Sequence, residues 1–288
     1  MSDAPSGLIP DHLLPSPVRG GTHRHLLGLR PLDMKDWFVL DADTPALLAN
    51  RVRLMSAAPD DVFMAEDGTD AAAHELRTMI AANLATFHGI VSTPGSGHPL
   101  VEAAKLIADD LVVVDAQDPA IRVVAAVVTA PNRWKLGVKF GAGLIDVHKP
   151  VPGYAEQVGD VVNTMLARLD RPVWRSNWGI TESPTWYQPA APHIGVSIRS
   201  AEAAAQRLWV RVERQTLVRL PESGAVVFAI RTFQQQLAMF ADRPHSAALF
   251  LEAIDQLPGP LRTYKELPRH LPFVRSWLEQ CVSRADSP

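Results

Sequence analysis

"RLWVRVERQTLVRLPESGAVVFAIRTF", residues 207–233, contains two runs rich in β-branched and aromatic residues, separated by a short segment that includes Gly224. Two such runs joined by a few residues with a glycine are typical of a β-hairpin. The stretch therefore predicts a pair of long antiparallel strands. A pair of this length needs further strands or helices to cover it, so it indicates where the core of the fold lies.

One face of the first predicted strand is mostly apolar but includes a charge. Its apolar members alternate along the strand: Leu208, Val210, Val212, Val218 and Leu220. Arg214 and Thr216 fall on the same face, because side chains two residues apart point the same way in a strand. A buried unpaired charge costs several kcal/mol. We therefore expect Arg214 to have a partner, either a protein carboxylate or an anionic ligand.

The opposite face of this strand is polar. Its members are Arg207, Trp209, Arg211, Glu213, Gln215 and Arg219. A row of mixed charges along a strand is typical of a solvated face with cross-strand ion pairs. On this interpretation the row lies in solvent and has a structural role.

Other segments predict an α+β fold. "LVVV" (111–114) and "IRVVAAVVT" (121–129) read as a strand pair, and the alternating "RWKLGVKFG" (133–141) as a strand with one buried face. Helical periodicity or helix-starting residues mark the remaining segments: 43–55, with Thr44 as N-cap, 70–88, 100–110, 154–169, 246–257 and 272–282. We expect a central antiparallel sheet wrapped by N- and C-terminal helices in one domain, 26–288, after an irregular arm, 1–25.

Composition narrows the function classes. The chain has 288 residues, 47% of them hydrophobic, and a net charge of −3, so nucleic acid is not an expected partner. The single cysteine, Cys281, excludes an internal disulfide, a cysteine metal cluster and covalent haem attachment. The N-terminal residues lack a signal-peptide pattern, and the longest apolar run is too short to cross a membrane. A cytoplasmic protein without a membrane partner is expected.

"GLIDVHKPVPGY", residues 143–154, places one histidine immediately before two closely spaced prolines. If the preceding residues form a strand, Leu144, Asp146 and His148 share a face, and the prolines end the strand just after the imidazole. A rigid backbone suits a side chain that must be aimed, such as a metal ligand. The alternative is a loop histidine hydrogen-bonded to a main-chain carbonyl.

"PVWRSNWGI", residues 172–180, contains two tryptophans, an arginine and an asparagine within five residues. We interpret this segment as a loop anchored by its aromatic side chains. It could alternatively form the wall of a pocket around a cation or a planar cofactor. No nucleotide-binding loop, zinc-protease motif or serine nucleophile elbow occurs anywhere in the chain.

Three of these segments, "VHKPVPGY", "RSNW" and the 207–233 stretch, resemble the haem-dependent oxidative N-demethylase family. "GLRPLDMKDW" (28–37) and "RVRLM" (51–55) are also similar to its N-terminal part, so the resemblance covers about residues 26–270. It implies a PAS-like domain with noncovalently bound haem b. It also implies a monooxygenase that converts a small secondary amine such as dimethylamine, with dioxygen, into a demethylated amine and formaldehyde.

The resemblance also implies partners and residue roles. Electrons would come from NADPH through a separate flavin and iron–sulfur reductase. His148 would be the haem ligand, with Asp146 as the acceptor for its other nitrogen. Arg175 would face the oxygen side, and Glu213 would hold the substrate ammonium. Arg214 and Arg211 would bind the cofactor, Arg214 through a haem propionate.

The sequence leaves open the function, the identity of the haem ligand, and the identities of the substrate and partners. A haem-binding PAS-like gas sensor or carrier without turnover is the alternative function, and a member that has lost haem is a third. His193 is the next candidate ligand after His148. The identity of the amine, the identity of the reductase and the state of any oligomer are not determined by these residues.

Overall fold

The predicted hairpin forms the centre of an antiparallel sheet. In a computed structural model, residues 5, 7–17, 28–93, 95–190, 195 and 197–285 are described, and most of the predicted arm lies outside these ranges. Within them, seven strands pair in the order β1-β5-β6-β7-β3-β4-β2, every pair antiparallel. Their bounds are β1 Arg30–Pro31, β2 Phe63–Ala65, β3 Asp110–Asp115, β4 Arg122–Val127, β5 Val173–Thr181, β6 Trp209–Arg219 and β7 Val226–Gln236.

Helices come from both ends of the chain and from the segments between β4 and β5 and between β5 and β6. The α-helices are α1 Thr44–Ala57, α2 Pro59–Val62, α3 Asp70–His88, α4 Pro99–Ala104, α5 Leu136–Lys139, α6 Leu144–Val147, α7 Asp160–Ala167, α8 Ala201–Arg207, α9 Pro244–Gln256, α10 Gly259–Tyr264 and α11 Leu271–Ala285. Short 3₁₀ helices occur at Asp11–Leu13, Met34–Asp36 and Leu237–Asp242, and a π-helix at Ala155–Gly159. None of the described helices is long and apolar enough to cross a membrane.

Two helical layers cover one face of the sheet. Apolar residues of α3 and α4 pack with Leu111, Val113 and Val227, while α8, α9 and α11 pack with Val210 and Val212. On the other face, α5, α6 and α7 cover an apolar area around β3 and β4. The predicted α+β fold, an antiparallel sheet wrapped by helices from both ends of the chain, is confirmed.

Several local predictions are wrong. Thr44, the predicted N-cap of α1, is its first helical residue after the N-cap Asp43, and the helix predicted over 100–110 ends at Ala104. The alternating segment 133–141 contains the single helical turn of α5, and the expected strand before His148 is α6. The segment 172–180 is not a loop, because most of it lies in β5, where it pairs with β6. A seven- to nine-residue pattern fits more than one conformation, so tertiary contacts decide between them.

Arg51 is a buried cation that ties α1 to the segment before β3. Its side chain is 3% exposed and lies 3.3 Å from Asp110. Nε donates to Thr129 Oγ1 at 3.2 Å. The remaining guanidinium hydrogens donate to main-chain carbonyls of Ala104, Ile107, Ala108 and Asp109.

Replacing Arg51 with methionine should lower the free energy of unfolding by about 3–5 kcal/mol, because Asp110 and several carbonyls lose their buried partner. Urea unfolding followed by circular dichroism measures the change. Arg53→Met, at an exposed position on the same helix, should stay within about 0.5 kcal/mol of wild type. Equal stability of the two variants would contradict the structural role of Arg51.

Candidate functional site

The register of β5, β6 and β7 places the polar residues of these strands side by side. Asn177 lies opposite Glu213, and Glu213 lies opposite Thr232. Because side chains alternate along a strand, the polar members of this face follow from these pairs. We call it the site face: Arg175 and Asn177 on β5, Arg211, Glu213 and Gln215 on β6, and Thr232 and Gln234 on β7.

The site face is buried on β6 at Arg211 and Glu213 and on β7, and half-buried at its other members, which corrects the prediction of a solvated row. Arg211 is 1% exposed and Glu213 is 7% exposed. Burying charged groups is costly unless they are paired or hydrogen-bonded. A buried charged face at the centre of the sheet therefore indicates a site.

His148 follows α6 directly, and its imidazole is oriented by the preceding turn. Nδ1 is 2.9 Å from the carbonyl oxygen of Leu144. The acceptor for the ring nitrogen Nδ1 is therefore the main-chain carbonyl of Leu144. Asp146, which was the expected acceptor, is exposed. A carbonyl at Nδ1 places the ring proton there, which leaves Nε2 with a free lone pair.

The prolines after His148 belong to a turn that brings Tyr154 back onto the imidazole. Gly153 has φ +74°, a conformation that glycine adopts without strain. The two rings stack with centroids 4.3 Å apart and planes inclined by 13°. The turn thus places Tyr154 against one face of the His148 imidazole, which gives the stiff sequence after His148 a structural role.

The π-helix after Tyr154 packs against α6. A Cβ at Gly159 would lie only 3.2 Å from Ile145 Cγ1, so a side chain there would press the two elements apart. π-Helical turns are rare in proteins, and those that occur are frequently found at functional sites. Together with the stacked ring, this packing holds His148 from two sides.

His148 is neutral at physiological pH. Burial lowers its pKa to about 4, and the nearby charges of Lys139 and Arg175 act in the same direction. Within the described part of the chain, Nε2 has no hydrogen-bond partner. A neutral imidazole with one oriented nitrogen and one free nitrogen is suited to binding a metal.

Arg175 lies in β5, on the site face, and its side chain makes no hydrogen bond to any described residue. Its Nε is buried without a partner. Burial lowers its pKa, whereas the charge of Glu213 opposes this shift. The structure thus brings together three of the predicted residues, since Arg175 is within electrostatic reach of both His148 and Glu213.

Glu213 is held through one of its two carboxylate oxygens. Gln215 Nε2 donates to Oε2 at 2.9 Å, and Asn177 Nδ2 approaches the same atom at 3.5 Å. Oε1 has no donor among the described residues. The carboxylate is therefore oriented by its neighbours, and one oxygen remains available to a ligand.

Arg214 and Arg211, which were both expected to bind the cofactor, hydrogen-bond to protein groups instead. Arg214 lies on the opposite face of the sheet, where it donates to the main-chain carbonyls of Asp36 and Trp37. Arg211 is on the site face and donates to Gln234 Oε1 at 2.9 Å and to main-chain carbonyls. The observed partners of Arg214 are therefore neutral main-chain carbonyls, and not the carboxylate or anionic ligand that the sequence predicted.

Sequence reasoning missed two cations that lie near Glu213. Lys139 donates to the carbonyl of Val147 at 3.1 Å, and Lys265 donates to Asn177 Oδ1 at 3.1 Å. Burial lowers the pKa of Lys265 to about 8. No local pattern marks Lys265, because it reaches the site from a segment more than 50 residues after Glu213.

No group of three or more histidine, cysteine, aspartate or glutamate side chains gathers as a metal site in the described ranges. His148 is therefore a single protein donor, which suits a metal that brings its other ligands with it. His193, the second candidate ligand, lies outside the described residues.

A known protein family matches most of the chain. The model of the family "Haem-dependent oxidative N-demethylase, alpha subunit-like" matches residues 85–274. The matched range contains His148, Tyr154, Arg175, Glu213 and Lys265.

Proposed function

The chain belongs to the haem-dependent oxidative N-demethylase alpha subunit-like family, and from this we propose that it binds haem b through His148 and demethylates a small secondary amine. The observation that carries the proposal is the neutral imidazole of His148, with Nδ1 on the Leu144 carbonyl and Nε2 free. Arg175 and Glu213, which lie nearby with unused hydrogen-bonding atoms, supply the charges that the reaction needs.

The donor set around His148 fits a haem. Haem iron is already bound by the four nitrogen atoms of its porphyrin ring, and in many proteins a histidine imidazole supplies a further ligand. His148 Nε2 supplies that ligand, and the Leu144 carbonyl holds the ring in the required tautomer. The partnerless Nε of Arg175 and the hydroxyl of Tyr154, also buried without a partner, are polar atoms that a bound group would satisfy.

When bound, the haem iron supplies oxygen activation, so that dioxygen, two electrons and two protons convert the secondary amine into a primary amine, formaldehyde and water. Arg175 provides a positive hydrogen-bond donor where negative charge develops as dioxygen is reduced. Glu213 Oε1 accepts a hydrogen bond from the substrate ammonium and orients its methyl group. Arg214 and Arg211 have protein partners, so we assign the cofactor no contact with either.

Electrons must come from another protein under this proposal. The chain has no nucleotide-binding loop and a single cysteine, so it supplies neither a nicotinamide site of known pattern nor a cysteine cluster. A separate flavin and iron–sulfur reductase that uses NADPH fits the "alpha subunit" in the family description. The haem-loaded chain alone should therefore not oxidise NADPH in proportion to the amine.

The test is formaldehyde release from a panel of N-methylamines by the haem-loaded chain with NADPH and a surrogate reductase. We expect formaldehyde in step with demethylated amine, and none when the chain, the reductase or dioxygen is omitted. No formaldehyde from any amine, together with tight reversible binding of carbon monoxide or nitric oxide, would replace the enzyme with the sensor.

A further inference from the structure

Four cations interact electrostatically with the carboxylate of Glu213: Arg175 and Arg211 from the site face, and Lys139 and Lys265 from other segments. Each lies within electrostatic reach of Glu213. Asp110 also acts on Arg211, but Asp110 is already paired with Arg51 at 3.3 Å. The site face and the two lysines beside it therefore carry more positive than negative charge. Arg211 is buried and the other three cations are half-buried, so part of this excess charge is removed from water at a cost.

Neutral groups are the partners of two of these cations. Lys139 Nζ donates to the carbonyl of Val147 at 3.1 Å. Arg211 donates to Gln234 Oε1 at 2.9 Å and to the carbonyl of Ala130 at 2.6 Å. Carbonyls satisfy the hydrogen bonds of a cation but leave its charge uncompensated.

Lys265 and Arg175 are likewise without an acidic partner. Lys265 Nζ donates to Asn177 Oδ1 and to the carbonyl of Trp178, whose ring centre lies 4.8 Å away. One of its three N–H groups is left over. None of the four cations forms an ion pair of 4 Å or less within the described residues.

The amide of Asn177 separates a free donor from a free acceptor. Its Oδ1 accepts from Lys265 Nζ at 3.1 Å, and its Nδ2 approaches Glu213 Oε2 at 3.5 Å. The remaining N–H of Lys265 and the free Oε1 of Glu213 thus lie on either side of one amide. A ligand that bridges them needs an anionic end and a cationic end.

We propose that the substrate of the reaction proposed above is a small N-methyl amino acid, with its secondary ammonium on Glu213 and its carboxylate on Lys265. The inference rests on the proposed function and narrows its substrate class. Dimethylammonium would add a positive charge to a site that already has an excess, whereas a zwitterion adds none. Once Glu213 holds the substrate ammonium, Lys265 has no acidic side chain within 4 Å among the described residues, so its charge is available to the substrate carboxylate.

The experiment compares N-methylglycine with dimethylamine as substrates of the haem-loaded chain with the surrogate reductase. Wild type should show a kcat/KM for N-methylglycine about tenfold or more above that for dimethylamine, because only N-methylglycine gains the charge-assisted hydrogen bond of Lys265. Lys265→Met should lower the ratio of the two kcat/KM values about tenfold or more. Lys265→Arg, which keeps the charge, should restore part of it.

Two further measurements separate an effect of Lys265 on substrate binding from an effect on haem binding. Calorimetric titration of the oxidised, haem-loaded chain with N-methylglycine should show binding that Lys265→Met weakens about tenfold or more. Lys35→Met, at an exposed lysine, should change neither the titration nor the ratio. Haem content per chain, read from absorbance, should be the same in all four proteins.

A preference for dimethylamine that Lys265→Met leaves unchanged would overturn this proposal and leave the demethylase function standing. Loss of haem from Lys265→Met, with equal losses for both amines, would assign Lys265 to a propionate and also overturn it. Formaldehyde from neither of these two amines would overturn the substrate class, and formaldehyde from no amine of the panel would overturn the proposed function as well.

Discussion

Replacing Glu213 with glutamine is expected to lower kcat/KM for N-methylamines by about 10- to 100-fold while the haem content stays at the wild-type level. Glutamine keeps the shape of the side chain and can still accept a hydrogen bond, but it removes the negative charge that faces the substrate ammonium. Gln215 Nε2, which donates to Oε2 at 2.9 Å, retains an acceptor. The loss should therefore fall on substrate binding and not on folding.

The measurement is the rate of formaldehyde release as a function of amine concentration, with thermal unfolding of the same protein in parallel. Glu222→Gln makes the same chemical change at an exposed position of the β6–β7 turn and should have wild-type kinetics. An unchanged KM in Glu213→Gln would show that the substrate ammonium does not depend on Glu213.

Replacing Arg175 with methionine should have a larger effect, on kcat. A preorganised positive donor at a point of developing negative charge is worth about 100- to 1,000-fold in rate. Arg175 is available for such a role, because its side chain donates no hydrogen bond to a described residue and its Nε is buried without a partner. Methionine keeps the apolar stem of the side chain, so haem and amine should still bind.

Formaldehyde release measured with dioxygen and reduced reductase both in excess separates this effect from electron supply, because the two electrons of each turnover then limit neither protein. Arg171→Met, at an exposed arginine just before the same strand, is the matched control and should turn over normally. If Arg175→Met demethylates at the wild-type rate, the arginine has no part in the reduction of dioxygen.

The sheet was predictable where the hydrophobic pattern is long. The hairpin of β6 and β7 and the nineteen-residue helix α3 match the predicted segments, because each repeats its period several times. The segments around His148 are only four residues long as helices. At that length local preference is weak, and packing against β3 and β4 decides the conformation.

The candidate site was only partly predictable for a related reason. Arg214 stood out because it interrupts an apolar face, yet its partners, the carbonyls of Asp36 and Trp37, lie more than 170 residues away. The sequence alone could indicate that a partner was needed, but not which one. Lys265 has no such local signal, and only the fold brings it to Asn177.

Titration of the purified chain with hemin, followed by its absorption spectrum, tests the central claim most directly. The account predicts a histidine-type Soret band that saturates at about one haem per chain. His148→Ala should abolish or shift that band, whereas His74→Ala, at an exposed histidine of α3, should leave it unchanged. A wild-type spectrum in His148→Ala, or no band in wild type, would contradict haem ligation by His148.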